Sequence, residues 1–203
     1  MRKSFIILFF FLFLIISTAP AADKSATPKL DAFLKLKTLS AEFTQDNYYP
    51  GLDNFTHKGK VYIMRPEKAL WDYENPVEYF LLEPGKITHY SESLKQIIKM
   101  KIDGKNSSDP TGLLLSIFLD SSIVKEQFKV SEKGSTITLV PLSGLELENI
   151  TIVMNGNIIE QINSKDISGN TVAIKFSKVK QDQSLDPSVF QKPLPEGIHI
   201  FEQ

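Results

Sequence analysis

From Ser40 to Lys180 apolar side chains recur at every second position in short runs broken by turn residues. That period commits most of the chain to sheet, because alternate side chains of a strand face opposite sides. Ala41 and Phe43 alternate with Glu42 and Thr44, and Val172, Ile174 and Phe176 alternate with Ala173, Lys175 and Ser177. Further strand-like runs fall at Lys60–Met64, Lys68–Tyr73, Glu78–Leu82, Lys86–Tyr90, Gln96–Ile102, Gln127–Ser131, Ser135–Val140, Glu146–Met154 and Ile158–Asn163. Pro84-Gly85, Asn155-Gly156 and Ser168-Gly169-Asn170 mark turns between them.

Two stretches read as helix. Thr27 ahead of Pro28 makes an N-cap and N1 pair, followed by Leu30, Phe33 and Leu34 on one face. Past Asp109-Pro110, Thr111–Leu119 carries Leu113, Leu114, Ile117 and Phe118 as an apolar stripe. About ten or eleven antiparallel strands with so few helices make a sheet that twist obliges to curl. The expected fold is therefore mainly β: an incomplete, half-open antiparallel barrel whose mouth is covered by a helical lid, with a filled sandwich as the alternative.

Arg65 stands where the run Val61, Ile63 ends, just before Pro66. An arginine there can serve as a plain edge device that keeps a strand end wet. If the row Val61, Ile63, Arg65 points inward, its guanidinium, which keeps its proton, must find acceptors in the lid. On that reading Arg65 is a latch. The candidate apolar chamber beneath the lid is lined by Leu30, Phe33, Leu34, Phe43, Val61, Ile63, Trp71, Leu114, Ile117 and Phe118. Each of these could equally be ordinary core, and in a hollow protein the two roles merge.

Arg2 and Lys3 precede an unbroken apolar stretch, Phe5–Ile16, and Ala19-Pro20-Ala21 supplies the small residues of a cleavage site. Residues 1–21 read as a cleavable export signal, too short for the roughly 18–20 residues of a spanning helix. Cleavage leaves 182 of 203 residues, 22–203, read as a single domain with a sizeable core. The expected product is soluble and exported. Without cysteine it has neither disulfides nor an N-terminal lipid anchor. Losing Arg2 and Lys3 moves the formal charge from −1 to −3, which argues against a general grip on nucleic acid.

Catalysis finds little footing. His57, His89 and His199 lack metal-site spacing, no Gly-x-Ser-x-Gly elbow is present, and no nucleotide loop or internal repeat is found. No cofactor or metal is expected, and an enzyme is not.

Four motifs in order carry a family resemblance: Arg65-Pro66 with Trp71; Gly85-Lys86 and Tyr90 with Gln96-Ile97; Asp109-Pro110 ahead of Leu113-Leu114; and Phe190, Pro193, Pro195, Gly197-Ile198, Ile200. Together, behind a cysteine-free signal, they resemble the LolA family of periplasmic outer-membrane lipoprotein carriers along nearly the whole mature chain. The resemblance implies an unclosed β-barrel with a helical lid. It also implies a chaperone that takes acylated lipoproteins from an inner-membrane ABC transporter of the LolCDE type. The cargo then passes through the periplasm to an outer-membrane acceptor such as LolB. The family's latch arginine corresponds to Arg65. Ala69 and Lys192 depart from the pattern, which usually has an aromatic at the first position and often Phe at the second. A lipid- or lipoprotein-sensing regulator on the same fold is the alternative from another class, and a lipid hydrolase is the third. A monomer is expected.

Overall fold

The computed structural model describes residues 27–101, 117–119, 122–142, 146–193 and 195–202. The proposed export signal and Leu114 lie outside them. Twelve strands form one open sheet: β1 (Thr38–Tyr48), β2 (Phe55–Met64), β3 (Lys68–Tyr73), β4 (Glu78–Glu83), β5 (Lys86–Ser91), β6 (Gln96–Lys101), β7 (Phe128–Lys133), β8 (Thr136–Pro141), β9 (Leu147–Asn155), β10 (Ile158–Asp166), β11 (Thr171–Gln181) and β12 (His199–Glu202). The helices are α1 (Pro28–Lys35) and α2 (Ser122–Gln127), and 117–119 forms a helical turn.

The strand order is β12-β6-β5-β4-β3-β2-β1-β11-β10-β9-β8-β7. Two meanders, β1 to β6 and β7 to β11, are therefore joined where β1 pairs with both β2 and β11. Every pairing is antiparallel except β12 beside β6. The eleven runs read from the sequence all appear, within a few residues of their expected bounds. β12 is the strand that was not foreseen: all four of its residues are exposed, so it has no buried alternation to read.

α1 shows that the sheet is curled. At its start the amides of Lys29 and Leu30 donate to the Glu132 carboxylate of β7, at 3.1 and 3.4 Å. At its end the Phe33 and Leu36 carbonyls accept from Arg65, next to β2. In the sheet order β2 and β7 stand six places apart, about 29 Å if the sheet were flat. A helix of eight residues, about 12 Å long, spans that gap only if the two halves bend towards each other. Glu132 also takes the role expected of Thr27, whose hydroxyl makes no capping bond among the described residues. A carboxylate at this end favours the helix further, because the N-terminal peptide dipoles are positive.

One apolar cluster fills the inner face and joins both meanders. It runs from Leu82 and Ala69 through Val61, Phe43 and Phe176 to Ile162, Ile152 and Ile137, with Leu30, Phe33, Phe118 and Val124 of the helical segments laid on it. A smaller cluster lies on the outer face, where Leu70, Tyr79, Tyr90 and Ile97 are covered by Phe190. Phe190 sits in a 3-10 turn, Pro187–Phe190, with Leu185, Val189 and Ile198 packed beside it. β3 is thereby buried on both sides through Ala69, Leu70 and Trp71. Lys192 ties this covering segment down, donating to Asp72 Oδ2 at 2.6 Å. The two departures from the family pattern thus have local roles: Lys192 makes an ion pair, and Ala69 packs in the inner cluster opposite Ile63 and Leu82.

Gly59 marks where β2 passes under a ring. It lies opposite Phe43 and Tyr73, and a Cβ there would stand 2.2 Å from Asp72 O and 2.8 Å from Phe43 Cζ. Backbone oxygen cannot step aside without breaking the β2–β3 ladder. Gly59→Ala should therefore destabilise the fold by about 2–3 kcal/mol, read as a lowered midpoint in urea with an unchanged slope.

Candidate functional site

Arg65 follows directly on β2, and its amide donates to Lys37 O at 2.8 Å, which fixes the backbone beside the α1–β1 elbow. Val61 and Ile63 belong to the inner cluster, so the alternation carries the Arg65 side chain inward as expected. Its Nε donates to Phe118 O at 2.6 Å, and its Nη1 to Phe33 O at 2.6 Å and Leu36 O at 3.4 Å. The guanidinium carbon also lies 4.9 Å from the centre of the Phe33 ring. Among the described residues the hydrogen-bond acceptors are thus backbone carbonyls, from two separate helical segments.

Those acceptors are physically apt. Phe33 and Leu36 lie at the C-terminal end of α1, where carbonyls run out of helical partners and the peptide dipoles point their negative ends. Burial lowers the Arg65 pKa to about 10, and the Asp182 charge opposes that shift. The group stays protonated at neutral pH. Asp182 is also structural: its Oδ1 accepts from Lys37 N at 2.7 Å and Thr38 N at 3.4 Å, holding the elbow to the end of β11.

Beneath the latch the candidate residues meet. Leu30, Phe33, Phe43, Val61, Ile63, Trp71, Ile117 and Phe118 are buried in the one inner cluster, and Leu34 is half-buried against it. Phe118 packs edge-on to Phe33 at 5.8 Å and to Trp71 at 5.2 Å; Trp71 in turn meets Phe43 at 5.1 Å. Side chains of α1 and the 117–119 turn themselves occupy the inner face. Sequence reasoning overlooked the share of β8 to β10, namely Ile137, Leu139, Ile150, Ile152 and Ile162. Their alternation was the available signal.

Towards the other end of the inner face the lining becomes polar. Tyr73 Oη donates to Gln45 Oε1 at 2.9 Å, Gln45 Nε2 to Asn47 Oδ1 at 2.9 Å, and Asn47 Nδ2 to Phe55 O at 3.5 Å. Burial, with the Glu78 charge adding to it, raises the Tyr73 pKa, so the phenol stays neutral. One group in the row is left over. Trp71 is fully buried and its Nε1 has no hydrogen-bond partner among the described residues, an omission that costs a folded protein about 1–3 kcal/mol.

Comparison with known proteins places this architecture. The model of the family described as outer membrane lipoprotein carrier protein LolA matches residues 34–193. The chain belongs to the LolA family. It is 28% identical over 192 residues to the outer-membrane lipoprotein carrier protein of Cupriavidus pinatubonensis, covering 91% of each chain. The protein of the same name from Methylococcus capsulatus is 28% identical over 193 residues, again with 91% of each covered. Among solved structures, a putative outer membrane lipoprotein-sorting protein domain from Vibrio parahaemolyticus aligns with TM-score 0.51 at 11% identity, covering 80% of this chain and 93% of that one. An uncharacterized conserved protein from Thermus thermophilus aligns with TM-score 0.52 at 10% identity, covering 86% and 97%. These two likenesses concern the fold.

In this LolA-family chain the Arg65 bonds are open to direct measurement. Arg65→Leu removes the donors while leaving the acceptor carbonyls in place. Backbone amides of α1 should exchange with deuterium on the order of ten- to a hundred-fold faster, as expected for losing charge-assisted bonds of about 1.5–3 kcal/mol. The wild-type rates, corrected for intrinsic exchange, should not vary between about pH 6 and 8, because the guanidinium does not titrate there. A cation whose pKa is lowered by burial contributes more stability, not less, as pH passes its folded pKa of about 10.

Proposed function

We propose that this LolA-family chain is a periplasmic carrier that binds the acyl chains of lipoproteins on its inner face and shuttles them from the inner to the outer membrane. One observation carries the reading: a single guanidinium ties α1 and the 117–119 turn over a continuous apolar face. The loading partner is an inner-membrane ABC transporter of the LolCDE type, and the acceptor is LolB or an equivalent. Residues 1–21 act as the export signal, and 22–203 make up the carrier domain. The carrier family favours binding over catalysis.

The energetics explain why such a carrier needs a latch. Three acyl chains hold on the order of 45 methylenes, and at about 0.8 kcal/mol each their full burial would be worth roughly 35 kcal/mol. A face that good would never release its cargo. Here the chains must first displace Phe118 from Trp71 and Phe33 from Phe118, and break the Arg65 bonds. Re-forming those contacts on release offsets part of the lost burial. The closed state is therefore an energetic competitor of the cargo, and the lid moves as cargo enters.

The test is a transfer assay with purified acylated lipoprotein. Arg65→Leu should still take up cargo but pass it to the acceptor roughly ten- to a hundred-fold more slowly. Transfer at the wild-type rate would remove the latch from the mechanism. Native mass spectrometry of the protein drawn from the periplasm should show co-purifying lipoprotein; free phospholipid alone would favour a lipid sensor instead.

A further inference from the structure

The latch and the unpartnered indole are joined through one residue. Phe118 gives its carbonyl to Arg65 Nε at 2.6 Å and sets its ring edge-on against Trp71 at 5.2 Å. Phe43 at 5.1 Å and Phe176 at 6.1 Å enclose the same indole. Rings supply only the weak acceptor of their π faces to an N–H group. The next polar group along the same face is not left wanting in this way: Tyr73, two residues on, donates to Gln45, which passes the chain on to Asn47. A fully buried donor without an acceptor is rare in folded proteins and calls for an explanation.

On the carrier reading the 117–119 turn lifts to admit cargo, which takes the Phe118 ring off the indole and opens space beside it. Hydrocarbon that moves in brings no acceptor. The acceptors an acylated ligand carries into a dry cavity are the carbonyl oxygens at the heads of its chains. We infer that Trp71 Nε1–H is the hydrogen-bond donor for an acyl ester carbonyl of the bound ligand, setting how deeply the chains sit. The indole is thus a donor that a carbonyl-bearing acyl ligand, and not bare hydrocarbon, can satisfy. This assignment rests on the carrier reading above and adds the chemical group that is recognised.

The chain has a single tryptophan, so the ¹⁵N-labelled indole of the wild-type protein gives one N–H resonance. The probes are dipalmitoylglycerol and its diether analogue dihexadecylglycerol, which matches it in chain length but lacks the carbonyls, both delivered in the same detergent. Both should bind, but only the diester should move the indole proton downfield and protect it from solvent exchange. The diester should bind roughly three- to ten-fold more tightly than the diether, the range of one neutral hydrogen bond, and Trp71→Phe should erase that preference. Equal indole shifts with equal affinities would overturn the inference and leave the carrier reading standing. Binding of neither lipid would overturn both. If Trp71→Phe fails to fold, the wild-type comparison of the two lipids decides alone.

Discussion

One guanidinium bonded to peptide oxygens ties two helical segments to the end of β2. Arg65 reaches from the end of β2 to Phe33 O and Leu36 O at the end of α1, and to Phe118 O in a separate helical turn. Because the acceptors are backbone, no lid side chain is needed to make the bond, and those side chains are free to pack downward. Lysine would serve poorly here, since one ammonium lacks the planar fork that addresses two segments at once. Asp182 supports the arrangement twice, by its charge and by holding the elbow from which α1 departs.

The two faces of the sheet are covered differently. On the outer side of β3 to β6 the covering is fixed: Phe190 fills the space over Leu70 and Tyr90, and Lys192 pairs with Asp72. On the inner side the covering among the described residues is α1, α2 and the 117–119 turn, short pieces with few internal hydrogen bonds. Short helices are marginal by themselves and persist through tertiary contacts. α1 is held at one end by Glu132 and at the other by Arg65, so a change at either end is felt along its length. The proposed carriage of acyl chains requires this covering to lift without the sheet unfolding.

Much of this was legible in the chain. Period-two alternation such as Val172, Ile174, Phe176 gave strand and facing together, and the Val61, Ile63, Arg65 row did point inward. Phe33 and Phe118 of the helical segments share one inner cluster with Trp71 and Phe43 of the strands, because large apolar residues on few helices have only one face to cover. What escaped notice lacked a local signal. α2, Ser122–Gln127, is six residues long with only Ile123 and Val124 buried, too short to show a helical stripe. β12 alternates nothing, and Glu132 caps α1 from 103 residues away, a partnership no local pattern encodes.

Sequence by itself settled the β class, the inward row and the residue types of the apolar face, because side-chain period and hydrophobicity are properties of neighbours along the chain. Tertiary structure alone decided that the sheet stays open with β12 and β7 at its edges. It alone decided that carbonyls rather than a carboxylate receive Arg65, and that the Trp71 indole is left without an acceptor. Those outcomes turn on which distant groups arrive within bonding distance once the sheet has curled, and distance in space is not written in sequence separation.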